Sequence, residues 1–182
     1  MQPLLSFSAA VDWISTRFGR IADWMVLAAC VISAGNAFIR YGVSISSNAW
    51  LELQWYLFAG MVMLGASYTL LRNEHVRVDL VYGWVGHRTR LYIDIFGFVF
   101  FVLPAMCLML YMTWPFFWDS FVRNEGSPNA GGMLRWPVKL ILPLGFLLLV
   151  LQGLSELIKR VAVLRGVPVQ GNAFLEYKKP EQ

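Results

Sequence analysis

The sequence predicts an all-α integral membrane protein with four transmembrane helices. Its 182 residues are 58% hydrophobic and only 14% charged, whereas charged residues make up about 25% of an ordinary soluble domain. Four windows of about 20 residues have charge-free centres, and that length carries a helix across a hydrocarbon core of about 30 Å. The strand alternation of a barrel is absent. We therefore interpret residues 1–182 as a single membrane domain with spans at about 21–39, 51–71, 92–113 and 138–158.

The segment before the first window has an amphipathic pattern. Apolar residues recur at helical spacing from Val11 to Ile21, opposite the polar residues Asp12 and Thr16. This pattern predicts an N-terminal amphipathic helix lying in the membrane interface. An upstream extension of the first transmembrane helix explains the same pattern equally well.

The third and fourth windows carry signals for a kink and for a helix end. Pro104 should kink the third span. Beyond residue 158 the apolar period continues, with Glu156 and Arg160 at i and i+4, until Gly166 and Pro168 stop it. We expect this helical extension of the fourth span to project into the cytoplasm, followed by a loose tail at residues 166–182.

The distribution of Lys and Arg predicts the orientation of the chain. Eleven of these residues lie before the first span, between the second and third spans or after the fourth, and four lie on the other side. Because Lys and Arg stay on the cytoplasmic side, both termini should be cytoplasmic in this multi-pass protein. The net charge of +4 is too small to predict nucleic-acid binding.

The spans lack the residues that transport or redox chemistry would need. Their centres hold no ionisable side chain, and Gln54 and Gln152 are typical of hydrogen bonding between helices. Both histidines, His75 and His87, fall in the same connector, which disfavours bis-histidine haem inside the membrane. The residues thus favour a subunit that is not an enzyme, over a redox membrane anchor or a self-contained small transporter.

Two connectors and one helix start provide the candidate site residues. Glu52 lies in the first turn of the second span, where it could stabilise the helix start or contact a partner. His75 and Asp79 are four residues apart and share a helical face with Arg77 opposite, although a solvated loop explains them too. The outer connector, residues 121–137, contains a run of turn-forming residues that predicts an exposed, shaped loop. Its candidate docking residues are Ser127, Pro128, Asn129, Gly131, Gly132 and Arg135.

Three motifs resemble the small permease subunit of tripartite ATP-independent periplasmic (TRAP) transporters, the DctQ type. They are Glu52-Leu53-Gln54-Trp55-Tyr56-Leu57-Phe58, Gly65-Ala66-Ser67-Tyr68 and His75-Val76-Arg77-Val78-Asp79. The loop run 127–132 with Arg135-Trp136-Pro137 is similar to one branch of that family. The resemblance covers roughly residues 20–160. Many members begin the second span with two adjacent acidic residues, where this chain has Glu52 alone.

The resemblance implies a division of labour in a bacterial inner membrane. A periplasmic binding protein (DctP type) captures an organic acid, and a large permease (DctM type) moves it with a sodium gradient. The small subunit braces the large one, contacts membrane lipids, and needs no cofactor because the large subunit binds the sodium ions. Candidate contacts with the large subunit are then Glu52, Gln54, His75, Arg77 and Asp79, and the outer loop is the candidate contact with the binding protein.

Overall fold

A computed structural model describes residues 1–45, 47–74 and 85–169 of the chain. Within these ranges the chain is helical, apart from connecting segments and an isolated β-bridge between Gly126 and Leu134. The helix α5 lies at the centre, since it contacts each of the other helices. The helices are α1 (Gln2–Val43), α2 (Asn48–Leu71), α3 (His87–Gly97), a π-helical turn (Phe98–Val102), α4 (Leu103–Val122) and α5 (Trp136–Leu164).

The N-terminal segment is continuous with the first predicted span. Helix α1 has 42 residues without a break, which corresponds to about 63 Å at 1.5 Å per residue. Of the two sequence-based alternatives, the structure thus shows the upstream extension. Its packed face consists mainly of small residues: the buried residues are Ser8, Val11, Ser15, Gly19 and Ala22.

Large apolar side chains lie mainly on the outside of the bundle. Phe38 is 80% exposed and Trp24 is 71% exposed, as expected for a surface that faces lipid or another membrane protein. In the described part of the chain, three continuous helical stretches are long and apolar enough to cross a membrane: Gln2–Val43, His87–Val122 and Trp136–Leu164. Helix α2, with 24 residues, is not among them. The fourth crossing therefore stays a prediction.

Small residues allow the helices to approach closely. A Cβ atom added to Gly19 of α1 would lie 2.6 Å from Cγ of Tyr68 in α2. At Gly145 of α5 it would lie 2.9 Å from the backbone oxygen of Met63. Such close contacts through small residues are typical of helix packing in membranes, where burial of apolar area does not drive association.

The third predicted span contains a π-helical turn immediately before Pro104. Proline lacks an amide N–H and its ring clashes with the carbonyl of the residue four positions earlier. The turn at Phe98–Val102 contains that residue, Phe100, and it joins α3 to α4 in one 36-residue stretch. A local widening of the hydrogen-bond pattern thus lies next to Pro104, and the kink predicted there stays a prediction.

Helix α5 continues beyond the predicted fourth span. The helix extends to Leu164, and Gly166 follows with a φ of 74°, which confirms the predicted helical extension and its stop signal. The extension also packs against α1 and α3. Glu156, Lys159 and Arg160 are at most 2% exposed because they pack against α1 and α3. Residues 170–182 of the predicted tail lie outside the described residues.

Candidate functional site

The loop at residues 123–135, between α4 and α5, closes over the first turns of α2. The hydroxyl of Tyr56 donates a hydrogen bond to the carbonyl of Leu134 at 3.0 Å. The amide of Asn48 donates to the carbonyl of Ala130 at 2.9 Å. The loop therefore contacts the N-terminal turns of α2 at two points.

The carboxylate of Glu52 anchors this loop. Its Oε1 accepts hydrogen bonds from the hydroxyl of Ser127 and, at 2.9 Å, from the side-chain amide of Asn129. Its Oε2 accepts the backbone N–H of Met133 at 2.7 Å. The residue is only 4% exposed. One carboxylate therefore fixes three points of a loop that lies at least 75 residues away in sequence.

Backbone geometry also determines the shape of the loop. Gly131 has a φ of 69°, a conformation that favours glycine. A Cβ atom on Gly132 would lie 2.9 Å from Oε1 of Glu52 and 2.5 Å from Cβ of Ser127, so a side chain there would displace the anchor. The glycines of the turn-forming run thus allow the loop to approach the carboxylate, while Pro128 stays exposed at its surface.

A second ionic contact joins the loop to α5. The ammonium group of Lys139 forms an ion pair with the carboxylate of Glu125 and lies 4.1 Å from the ring centroid of Phe116. The hydrogen bond from Lys139 lowers the pKa of Glu125 below its usual value of 4.5, and Ser120 and Arg135 act in the same direction against the cost of burial. Glu125 is therefore ionised throughout the neutral range.

The structure brings only some of the sequence-predicted residues together. Ser127, Asn129 and Gly132 meet Glu52, and Arg135 forms the N-cap position of α5. Gln54 lies half-buried on α2, where the contacts to the loop come instead from Glu52, Asn48 and Tyr56. The candidates His75, Arg77 and Asp79 lie outside the described residues.

A buried cluster at the opposite end of the bundle was missed by sequence reasoning. We call it the charged seam; it joins α1, α3 and α5 and contains three carboxylates and two cations. Lys159 contacts Asp12 of α1, with its Nζ 3.1 Å from Oδ2, and also pairs with Glu156. The members of the charged seam are Ser8, Asp12, Ser15, Asp94, Gln152, Ser155, Glu156, Lys159 and Arg160.

Arg160 connects the charged seam to α3. Its Nε donates to Oδ2 of Asp94 at 2.9 Å, and one terminal nitrogen donates to Oε2 of Glu156 at 2.6 Å. The guanidinium lies 4.7 Å from the ring centroid of Phe98, in the π-helical turn. The five charged groups thus alternate in sign from α1 through α5 to α3, so that each charge has a partner of opposite sign.

The sequence does contain a signal for the charged seam. Polar residues recur along α5 at 152, 155, 156, 159 and 160, which is the spacing of one helical face, and α1 has Ser8, Asp12 and Ser15 at matching intervals. In a membrane helix such a polar face indicates contact with another helix. Treating Glu156 and Arg160 only as an i, i+4 pair on the helical extension overlooked the rest of that face.

These features define an all-helical membrane protein that uses its polar residues to join its own helices and to fix one loop. The chain belongs to the DctQ component family of tripartite ATP-independent periplasmic transporters, because the family model matches residues 29–163, well over half of its length. This confirms the resemblance of the sequence motifs. No curated protein and no solved structure matches the chain.

Proposed function

We propose that this chain is a non-catalytic brace for the large permease of a sodium-driven TRAP transporter for organic acids. It crosses the bacterial inner membrane four times, with both termini in the cytoplasm, and binds no cofactor; the sodium ions bind to the large subunit. The charged seam then lies at the cytoplasmic end and the loop at residues 123–135 on the periplasmic side.

The pairing of charges within the charged seam is the observation that best supports this function. A path for an anion or for sodium needs polar groups that can exchange partners with the solute. Here Lys159 and Arg160 are at most 2% exposed and contact carboxylates of their own chain. Groups paired in this way favour a rigid helical unit over a transport pathway.

Reconstitution into liposomes tests the brace. Uptake of an organic acid, with binding protein and an inward sodium gradient, is compared for the large permease alone, this chain alone and both together. We expect uptake only when both are present, and binding protein and gradient are each omitted as controls. Uptake by this chain alone would favour the self-contained transporter, and equal uptake by the large permease alone would refute the brace.

We further propose that the loop at residues 123–135 is a docking surface for the periplasmic binding protein. Glu52 fixes the loop from below through Ser127, Asn129 and Met133, which leaves Pro128 and Ala130 exposed. A preformed loop binds a partner without the entropic cost of ordering. That combination of a fixed backbone and an exposed surface favours docking over a simple connector.

The docking proposal is tested by changing only the exposed positions. Pro128→Ser combined with Ala130→Glu leaves the groups that contact Glu52 in place and should weaken binding-protein-dependent uptake. Arg40→Gln, which alters an exposed residue in the last turn of α1 and outside the loop, is the matched control. Normal uptake by the loop variant, together with normal assembly, would refute docking while leaving the brace intact.

In this proposal the motif at residues 75–79, after α2, contacts the large permease. Arg77 and Asp79 carry opposite charges on the connector that the family resemblance singles out. Replacing both with Ala should reduce co-purification of the large permease, and His75→Gln provides a milder variant of the same motif. Unchanged assembly and uptake in both variants would remove this role.

A further inference from the structure

The carboxylate of Asp12 in α1 contacts three side chains of α5. Its Oδ1 accepts hydrogen bonds from the side-chain amide of Gln152 at 3.0 Å and from the hydroxyl of Ser155 at 2.9 Å. Nζ of Lys159 lies 3.2 Å from Oδ1 and 3.1 Å from Oδ2. All three donors come from one face of α5, so a single carboxylate of α1 accepts hydrogen bonds along almost two turns of α5.

Two serines extend the contact along α1 in both directions. The hydroxyl oxygens of Ser8 and Ser155 are 2.6 Å apart, and the hydroxyl of Ser15 donates to Oε1 of Gln152 at 2.8 Å. As the residue number rises on α1 it falls on α5, so the two helices run antiparallel in one register. The register places residues 8–15 alongside the last turns of α5.

We propose that Asp12 is a positioning residue that docks the N-terminal segment, residues 2–20, onto α5 within this chain itself. The segment is then part of the rigid scaffold before any partner binds, and is not a separate anchor in the membrane interface. The family model begins at residue 29, so Ser8, Asp12 and Ser15 lie outside the part of the chain that the family defines. The proposal concerns the isolated chain and holds whether or not the brace function does.

The charge of Asp12 should stabilise the contact between α1 and α5 more than the serine hydroxyls do. Lys159 is 2% exposed, so the loss of Asp12 leaves its ammonium group buried with Glu156 as its partner, and Glu156 is already shared with Arg160. Removal of one partner from a buried ion pair is strongly unfavourable, whereas a lost hydroxyl contact costs much less. Without Asp12, separation of α1 from α5 becomes the way for Lys159 to regain water.

Disulfide crosslinking of the chain expressed alone tests the docking. Cys30 and Cys107, both exposed, are first replaced with Ala. Ser8→Cys with Ser155→Cys then places two thiols where the hydroxyl oxygens are 2.6 Å apart, near the S–S distance of about 2.0 Å. The pair leaves Gln152 and Lys159 in place, and crosslinking is followed in isolated membranes treated with copper phenanthroline.

The control pair is Ala10→Cys with Ser155→Cys, because Ala10 is exposed and lies about 200° further around α1. We expect rapid crosslinking of the first pair and little of the control pair. Asp12→Ala should slow crosslinking of the first pair roughly tenfold or more. Asp12→Asn, which keeps the size and one acceptor oxygen, should have an intermediate effect, and Asp23→Asn, an exposed site on the same helix, none.

Two results would overturn the proposal. Equal crosslinking of both pairs would mean that residues 2–20 are not docked with this face. An unchanged rate in both Asp12→Asn and Asp12→Ala would mean that helix packing alone holds the segment. If Asp12→Ala fails to accumulate in the membrane, Asp12→Asn supplies the comparison with Asp23→Asn.

Discussion

Replacing Arg160 with Met removes the guanidinium that joins α5 to α3 while keeping a side chain of considerable length. The wild-type group is 1% exposed and contacts Asp94 and Glu156. After the substitution Glu156 still pairs with Lys159, but the carboxylate of Asp94, which is 12% exposed, loses its ion-pair contact with Arg160. The perturbation therefore acts mainly through one nearly buried carboxylate.

An exposed ion pair at the end of α4 provides the comparison for the stability that is lost when Arg160 is replaced. Arg123 and Asp119 are four residues apart near the end of α4, with side chains 74% and 59% exposed. Breaking a buried pair costs about 3–5 kcal/mol, whereas an exposed pair contributes about 0–1 kcal/mol. Arg160→Met should thus lower the free energy of unfolding by several kcal/mol, and Arg123→Met by less than about 1 kcal/mol.

Unfolding of the purified chain in mixed micelles, followed by circular dichroism, measures both changes. Adding Asp94→Asn to Arg160→Met should recover part of the loss, because the nearly buried carboxylate that lost its contact with Arg160 is then neutral. Equal stabilities of Arg160→Met and Arg123→Met would refute the reasoning. So would a double variant that is less stable than Arg160→Met alone.

Three further outcomes follow from the same contacts. Glu52→Ala should increase hydrogen exchange at the Met133 amide roughly tenfold or more, since that N–H loses its acceptor. Unchanged exchange would show that the loop keeps its conformation without Glu52. Gly145→Val should prevent stable folding because its Cβ would meet the backbone of α2. Gly97→Ala should fold normally because no atom lies within 4 Å of the added Cβ, and the yield after membrane extraction measures both effects. The lowered pKa of Glu125 means that its contribution to loop stability is present above pH 4.5 and is lost as the pH falls below that value. Limited proteolysis of the loop should therefore change only in acid, and Glu125→Gln should reduce this dependence without abolishing it, because the carboxylate of Glu52 also holds the loop.

Helix positions could be predicted from the sequence because they depend on local composition. The windows at 51–71 and 138–158 correspond to α2 and α5, which extend them by a few residues at the ends. The packed face of α1 could not be obtained from the same apolar period. In water the apolar face of a helix is buried, but in lipid it can face outward, so Ser8, Ser15 and Gly19 pack while Trp13 is 61% exposed.

The contacts of the candidate site depend on residues far apart in the chain. Glu52 was identified as a helix-start residue or a partner contact, and the glycine-rich loop as an exposed surface, but no local pattern links the two. Asp12 and Gln152 are 140 residues apart, so their hydrogen bond likewise requires the fold to be known. Polar periodicity on α5 could have predicted that its last turns contact another helix, although not which one.

Lys159 and Arg160 take part in two successive events in the predicted orientation. During membrane insertion the chain is unfolded, and both residues then count among the cations that keep the C-terminal end in the cytoplasm. Once the helices assemble, Asp12, Glu156 and Asp94 neutralise the same cations inside the bundle. Two of the eleven cations that predict the topology are thus not available at the surface of the assembled bundle, and its electrostatic field differs from the one its sequence presents to the insertion machinery.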